Sequence, residues 1–460
     1  MNLDLLKISY QKFKDSEPNQ FLLLYSSFEE QITFLSKICK ESEGQTLITC
    51  SSISEIQDVF KLLTKYITKE EIEVIHKNYF KNELLIKNKK INSNKIKVII
   101  STKTGIFSPF FNLKNIIIIN EESKDHKQYD LNPRYNIKDI CFYLSQKNNI
   151  KLILTSQSPS IETYYKNLEI LNLQENNKFT TINLIDQKVE RRSKNELYIS
   201  LKLQEKIKES LEQNKKIIII NNDLKSEFKS NEKIKNEITE LCWGRTNENL
   251  FCPTILTIDK NLSCPNITKE IKNTQIIIGT EFLVKNYLYK INNIGTIALL
   301  SLDNLMYASD INSNESLFTY IKYFINLSNE KNIENLLIQT KNIENETLNL
   351  AINNEYNKFY NKELETRKTL NYPPFSTIID LIIKEKTTEL LEEKKKKILK
   401  ILDKNQTEIE VIGERTIEKE LKTKTRKQEN LSIKLVSAHC NAPQQQILKE
   451  LSEHCLIDIK

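Results

Sequence analysis

The chain has 460 residues, of which 39% are apolar, and its 68 Lys and Arg against 61 Asp and Glu give a net charge of +7. This composition is typical of a globular protein rather than a disordered one, and the absence of any apolar run near 18 residues argues against a membrane-spanning helix. The mild positive charge permits contact with a polyanion without requiring it. With no signal-peptide pattern at the start, we expect a soluble, cytoplasmic protein.

Residues 1–190 alternate short apolar runs with helical patterns. The runs have the length of strands buried on both faces of a parallel sheet. They are FLLLY (21–25), TLITC (46–50), KVIIST (97–102), NIIIIN (115–120) and KLILTS (151–156). This alternation predicts a doubly wound α/β domain, whose ligands bind beyond the carboxyl ends of the strands. The residues after each run are therefore the candidates for a site.

Residues 191–345 repeat the pattern and predict a second α/β domain. Its apolar runs are KIIIIN (216–221), QIIIGT (275–280), GTIALLSL (295–302) and NLLIQT (335–340). A connecting helix is predicted over 346–370, and the two prolines of NYPPF end it. Residues 371–460 have strand and helix patterns in the order β-α-β-β-α, which predicts a small ferredoxin-like α+β domain.

A series of motifs follows these elements. They are VIISTKTGIFSPFFNL (98–113), IIIINEESKDHKQ (116–128), LILTSQSPSIET (152–163), IIIGTEFLVK (276–285) and FYNKELETRKTLNYPPF (359–375). In this order they resemble motifs of the replication-restart helicase family of primosomal protein N′ (PriA), and the resemblance covers about residues 10–460. It implies two RecA-like helicase lobes with parallel sheets, a zinc-module insertion at about 222–272 and the C-terminal α+β domain. Because the first lobe begins almost at once, we expect the family's N-terminal DNA-binding domain to be missing.

The resemblance also implies ATP-driven unwinding of branched DNA, but the residues that this chemistry needs are altered. A phosphate loop needs glycines and a lysine, whereas LLLYSSFEEQITF (22–34) has neither. Asn120 stands where the family has a Mg²⁺-binding aspartate, and a neutral amide is a weaker ligand. Glu121 aligns with the catalytic glutamate. Glu121 and Glu122 are thus weak remnants of a catalytic site, or alternatively a solvated turn after a buried strand.

Other parts of the family's chemistry are also altered. The segment INLSNEKN (325–332) lacks the arginines of helicase motif VI. Cys242, Cys252 and Cys264 lack the close pairing of structural zinc ligands. We therefore expect no ATP, magnesium or zinc cofactor and no metal site. Of the remaining cysteines, Cys39, Cys50 and Cys141 are expected in the core.

Several basic and hydroxyl residues follow strands or motifs of the two lobes, and one of these motifs, IIIGTEFLVK, resembles a motif that contacts the nucleic-acid backbone in related helicases. Such groups can neutralise phosphates without reading sequence, although each lysine alone could equally be part of a solvated surface. The candidate nucleic-acid-binding residues are Lys103, Thr104, Lys127, Arg134, Thr280 and Lys285.

These observations lead to one hypothesis and two alternatives. The hypothesis is a PriA-like replication restart protein that keeps the helicase fold without ATPase activity. Its partners would be forked or single-stranded DNA and other replication-restart proteins, with no membrane. The first alternative is an active ATP-dependent 3′–5′ DNA helicase with divergent motifs, so the enzyme status stays open. The second is a protein-interaction scaffold with no DNA role.

Overall fold

The computed structural model describes residues 3–16, 19–129, 134–174, 180–192, 198–222, 230–243, 253–260, 267–300, 302–307, 310–385, 387–419, 426–435 and 441–459. The chain divides into two compact units. Unit 1 comprises Met1–Ser9, Leu24–Phe34 and Asn172–Phe359. Unit 2 comprises Tyr10–Leu23, Leu35–Leu171 and Tyr360–Lys460.

The first part of the chain forms a seven-stranded sheet with helices between its strands. Its elements are α1 (Leu3–Asp15), β1 (Gln20–Leu24), α2 (Phe28–Glu41), β2 (Gln45–Thr49), α3 (Ile53–Leu63), β3 (Ile72–Ile75), α4 (Lys81–Asn92), β4 (Val98–Ser101), β5 (Leu113–Ile118), α5 (Ile137–Asn148), β6 (Lys151–Ser156), α6 (Ile161–Tyr165) and β7 (Glu169–Asn172). The sheet order is β3-β4-β2-β5-β6-β1-β7, with β3, β4, β2, β5 and β6 parallel. The predicted α/β class is confirmed.

The second sheet has six strands, all parallel, in the order β10-β11-β9-β12-β13-β8. Its elements are β8 (Thr181–Asp186), α7 (Gln187–Arg192), α8 (Leu201–Glu212), β9 (Lys216–Asn221), α9 (Asn231–Trp243), β10 (Ile255–Ile258), α10 (Ile267–Asn273), β11 (Ile276–Gly279), α11 (Glu281–Asn286), β12 (Ile294–Leu300), α12 (Asp303–Met306), α13 (Ser313–Glu330) and β13 (Asn335–Thr340). Because β8 pairs with β13, the second sheet starts before the predicted boundary at residue 190.

The C-terminal part forms a four-stranded antiparallel sheet in the order β15-β16-β14-β17. Its elements, with the two helices before it, are α14 (Glu346–Ile352), α15 (Tyr356–Thr369), β14 (Thr377–Glu385), α16 (Thr388–Asp403), β15 (Ile409–Lys419), β16 (Arg426–Leu435), α17 (Ala442–Ser452) and β17 (Leu456–Ile459). The predicted β-α-β-β-α order is present, with β17 added. The connecting helix predicted over 346–370 is instead two helices, because Asn354 adopts φ 60° after α14.

Asparagine replaces glycine at the left-handed backbone positions of this glycine-poor chain. Every described residue with positive φ is an asparagine. The positions are Asn94, Asn120, Asn149, Asn167, Asn214, Asn293, Asn332, Asn354 and Asn371. Asparagine tolerates this conformation better than other residues with a Cβ. Asparagine therefore allows these left-handed turns to form without glycine. It cannot replace glycine in a phosphate loop, where the backbone must approach the phosphate without a Cβ.

Candidate functional site

The residues that follow β5 and β6 meet in a buried polar centre around Glu121, here called the Glu121 centre. Glu121 is fully buried. Its carboxylate accepts hydrogen bonds from Lys138 Nζ at 2.9 Å, the Ser160 amide at 2.7 Å and the Thr163 hydroxyl at 2.8 Å. Lys138 lies at the start of α5, and Ser160 caps α6. The side chain that the sequence aligns with a catalytic glutamate is thus held by its own chain.

The two neighbouring glutamates of this centre have pKa values shifted in opposite directions. Burial alone would raise the pKa of Glu121, but the Lys138 ammonium and the hydrogen bonds from Ser160 and Thr163 hold it below its usual range. Burial and the adjacent Glu121 charge raise the pKa of Glu122 to about 8. Glu121 is therefore ionised at neutral pH, and Glu122 mainly carries a proton.

Asn120 is matched to a carboxylate that the sequence did not single out. Asn120 Nδ2 donates to Glu55 Oε1 at 2.6 Å. Glu55 Oε2 accepts from the Ser51 amide at 2.6 Å and the Ser51 hydroxyl at 3.0 Å. Burial raises the pKa of Glu55 to about 7. An aspartate at position 120 would place two carboxylates in contact, so the asparagine is the residue that this arrangement accommodates.

The segment at the position of the family's phosphate loop begins α2 without a glycine. Ser27 Oγ accepts from the Glu29 amide at 3.2 Å, and the Ser27 carbonyl accepts from the Gln31 amide at 3.1 Å. These are the hydrogen bonds of a helix N-cap. The local amides that a phosphate loop would offer to a ligand are in part used by this serine.

The basic candidates of unit 2 take part in a second cluster, here called the Asp458 cluster. Lys127 Nζ lies 2.7 Å from Asp458 Oδ1, and Arg134 Nη1 lies 2.5 Å from Asp458 Oδ2. Lys103 Nζ donates to the backbone carbonyls of Asp125 at 3.2 Å and Lys127 at 2.6 Å. The Thr104 hydroxyl lies 3.5 Å from that of Thr102. The structure therefore brings Lys103, Lys127 and Arg134 together around β17 and the loop after β5.

The two candidates of unit 1 lie on α11. Thr280 is buried and caps this helix, with its hydroxyl accepting from the Phe282 amide at 3.3 Å. Lys285 is exposed and lies 3.3 Å from Glu281. A capping hydroxyl and an exposed ion pair are ordinary helix features. Their assignment to nucleic acid remains a prediction.

Two exposed aromatic side chains that follow Lys103 in the sequence were not among the predicted site residues. Phe107 is 64% exposed and Phe111 is 60% exposed. The Phe107 ring packs edge-on against Tyr135, with centroids 5.5 Å apart. The signal was present in the segment GIFSPFF, where several aromatics stand between two strands. Exposed rings beside basic groups are typical of surfaces on which nucleic-acid bases stack.

The segment FYNKELETRKTLNYPPF has a packing role in unit 2. The Tyr360 hydroxyl donates to the Pro159 carbonyl, next to Ser160 of the Glu121 centre. The Tyr360 ring stacks on Tyr164 with centroids 4.4 Å apart. Arg367 is buried, where its Nε donates to Glu363 at 3.1 Å. Through Tyr360, the motif thus packs against the loop after β6 and against α6.

No group of three or more His, Cys, Asp or Glu side chains within the described part of the chain could hold a metal ion. Cys252 and Cys264 lie outside the described residues, and Cys242 lies in α9. Cys39, Cys50 and Cys141 are free and buried, as predicted. No helix among the residues that the structure describes has the length and apolarity to cross a membrane.

Two parallel sheets whose carboxyl edges carry helicase-type motifs define a protein of helicase fold. A solved structure of RecG bound to a three-way DNA junction has this fold, with a TM-score of 0.51 and 11% identity over 79% of this chain and 46% of that chain. No family model matches the sequence.

Curated relatives identify the family within that class. The chain is 28% identical over 433 residues to the replication restart protein PriA of Borreliella burgdorferi, covering 80% of this chain and 62% of the relative. It is 26% identical over 422 residues to PriA of Buchnera aphidicola, covering 77% and 58%. The chain belongs to the PriA replication restart family, and it spans about three fifths of the length of these relatives.

Proposed function

We propose that this protein is a PriA-like replication restart protein that binds forked or single-stranded DNA and does not hydrolyse ATP. One observation carries the proposal. The carboxylate of Glu121, which a hydrolase would use to orient water, is buried and bound to Lys138, Ser160 and Thr163. The Asn120–Glu55 hydrogen bond and the glycine-free start of α2 support the same conclusion. Partners among other restart proteins are part of this proposal.

The DNA-binding part is supported by the exposed rings of Phe107 and Phe111, which follow Lys103 in the sequence, and by the process named for the relatives. Backbone contacts from basic groups would supply salt-dependent affinity, and stacking on the rings would favour unpaired bases. Unit 2 is therefore the part of the chain to which we assign DNA.

Binding is tested by fluorescence anisotropy with a forked DNA and a single-stranded oligonucleotide at low and moderate salt. We expect affinity to fall as salt rises. Phe107→Ala should weaken single-strand binding by the loss of about 1–3 kcal/mol of stacking. Phe80→Ala is the matched control, because Phe80 is 80% exposed elsewhere in unit 2. Salt-independent or absent binding would favour the scaffold alternative.

ATP hydrolysis is measured on the same preparation with and without forked DNA. We expect no DNA-stimulated release of phosphate from the wild-type chain. Hydrolysis that DNA stimulates and that Glu121→Gln abolishes would replace this proposal with the active-helicase alternative.

A further inference from the structure

A carboxylate from α13 lies at the beginning of α2 within unit 1. Ser27 Oγ donates to Glu330 Oε1 at 3.1 Å, and the Tyr289 hydroxyl lies 3.3 Å from the same oxygen. The Phe28 amide, the first of α2, also hydrogen-bonds the Glu330 carboxylate. The N-terminus of a helix favours a negative charge, because its amides are unpaired and its dipole is positive there. Glu330 supplies that charge.

Aromatic rings and a lysine pack around the residues that contact Glu330. The rings of Phe28 and Tyr289 pack edge-on with centroids 5.4 Å apart. The Lys331 ammonium lies 5.0 Å from the centre of the Tyr289 ring and donates to the Ile291 carbonyl at 3.0 Å. Burial raises the pKa of Glu330, while hydrogen bonds from Ser27 and Tyr289 oppose that rise. Packing and hydrogen bonding thus act on the same carboxylate.

The Glu330 contact joins two segments that the family resemblance assigns to an ATP site. The start of α2 stands where the family resemblance places the phosphate loop, and Glu330 stands in the segment that resembles motif VI without its arginines. We propose that Glu330 is a built-in anion that takes the place of a nucleotide phosphate and fixes Leu24–Phe34 within unit 1. This inference rests on the proposed absence of ATP hydrolysis and explains how the segment is held without nucleotide.

Hydrogen–deuterium exchange of the full chain tests the inference without nucleotide or DNA. Glu330→Ala should speed exchange of the amides at the start of α2 by about three- to tenfold, as the loss of a helix cap does. Glu330→Gln keeps an acceptor but loses the charge, so its effect should be smaller. Tyr289→Phe keeps the ring and removes one donor. Glu334→Ala is the matched control, because Glu334 pairs with Lys215 elsewhere in unit 1.

Unchanged exchange over Leu24–Phe34 in Glu330→Ala would overturn the inference, and so would protection of the wild-type segment by millimolar inorganic phosphate. Circular dichroism confirms that each variant is folded. If Glu330→Ala does not fold, Glu330→Gln and Tyr289→Phe give the same test, and unchanged exchange in both would overturn the inference. ATP hydrolysis in the separate enzyme assay would contradict the proposed function, whereas the exchange result concerns the Glu330 contact alone.

Discussion

The Glu121 centre and the Asp458 cluster both use a carboxylate to hold basic side chains, but they differ in access. Glu121 is fully buried, and amide and hydroxyl donors accompany its single ammonium. In the Asp458 cluster, the side chains of Lys127 and Arg134 are 13% and 12% exposed. The difference lies in the carboxylates, which are 9% exposed for Asp458 and 0% for Glu121, because Lys138 at 11% is about as exposed as Lys127 and Arg134. The carboxylate of Glu121 is thus part of the core, whereas Lys127 and Arg134 surround a carboxylate that keeps some contact with solvent.

The largest expected effect comes from breaking the Glu121 centre. Glu121→Gln leaves the Lys138 ammonium buried without its counter-charge, and it sets an amide against the Ser160 donors. We expect a loss of about 3–5 kcal/mol, measured from urea unfolding of unit 2. Glu121→Leu combined with Lys138→Met should recover much of that loss, because an apolar pair avoids the unpaired charge.

The control for this variant is Glu392→Gln, because Glu392 is exposed on α16 of the same unit. Its effect should stay within about 0.5 kcal/mol. If Glu121→Gln were as harmless as the control, Glu121 would not be a structural anchor. The contrast between the two carboxylate clusters would then be lost.

Asn120→Asp tests whether the asparagine at position 120 is needed because of its contact with Glu55. The substitution replaces a donor with a second carboxylate, and we expect a loss of about 2–3 kcal/mol at pH 8. The loss should shrink below the Glu55 pKa of about 7, because a protonated Glu55 can donate to the new carboxylate. Thermal unfolding at pH 8 and pH 5.5 measures both values.

Asn167→Asp provides the control for backbone strain. Asn167 has the same φ of 49° as Asn120 but is exposed. An equal loss in both variants would mean that backbone conformation, rather than the Glu55 contact, explains the effect.

The strands that sequence reasoning missed show what it can detect. The missed strands are β3, β7, β8, β10 and β17, and each lies at an edge of its sheet. An edge strand has a neighbour on one side only, so it needs no continuous apolar run. In β7 and in β8 a single residue is buried. The central strands, such as β5 with Ile116–Ile118 fully buried, were all predicted. Apolar runs identified the middle of each sheet and the fold class.

The candidate site was predicted less completely, because its partners are distant in sequence. Glu121 was located from its strand, but its contact with Lys138 depends on how α5 packs. Asp458 reaches Arg134 across more than three hundred residues, which no local pattern reveals. Glu55 lies beyond the residues that directly follow the second apolar run, TLITC (46–50), and nothing in the sequence singled it out. Local patterns could locate the edge of the sheet but not the pairing of charges on it.

Asp458→Asn tests the second cluster and should have a smaller effect. It removes the charge that holds Lys127 and Arg134 but keeps an amide that can still hydrogen-bond, and both cations retain some solvent contact, so we expect a loss of about 1–2 kcal/mol. Because the freed cations can contact phosphates, affinity for single-stranded DNA should rise, with a steeper dependence on salt. Anisotropy titrations at two salt concentrations measure this change. A fall in affinity without unfolding would instead show that the cluster must stay intact for DNA to bind.

The smallest effect at neutral pH is expected for Glu122→Gln, because a neutral amide resembles the protonated carboxyl that Glu122 mainly carries. The pKa of Glu122 is raised from 4.5 to about 8 in the folded chain, so between these values the folded chain binds more protons than the unfolded chain. This group therefore makes stability fall as pH rises from about 4.5 to about 8. Melting temperatures of wild type and Glu122→Gln should agree near pH 5 and separate by pH 9, with the variant higher. Parallel curves over that range would show that the pKa of Glu122 is not raised by folding, which would contradict the buried environment assigned to it.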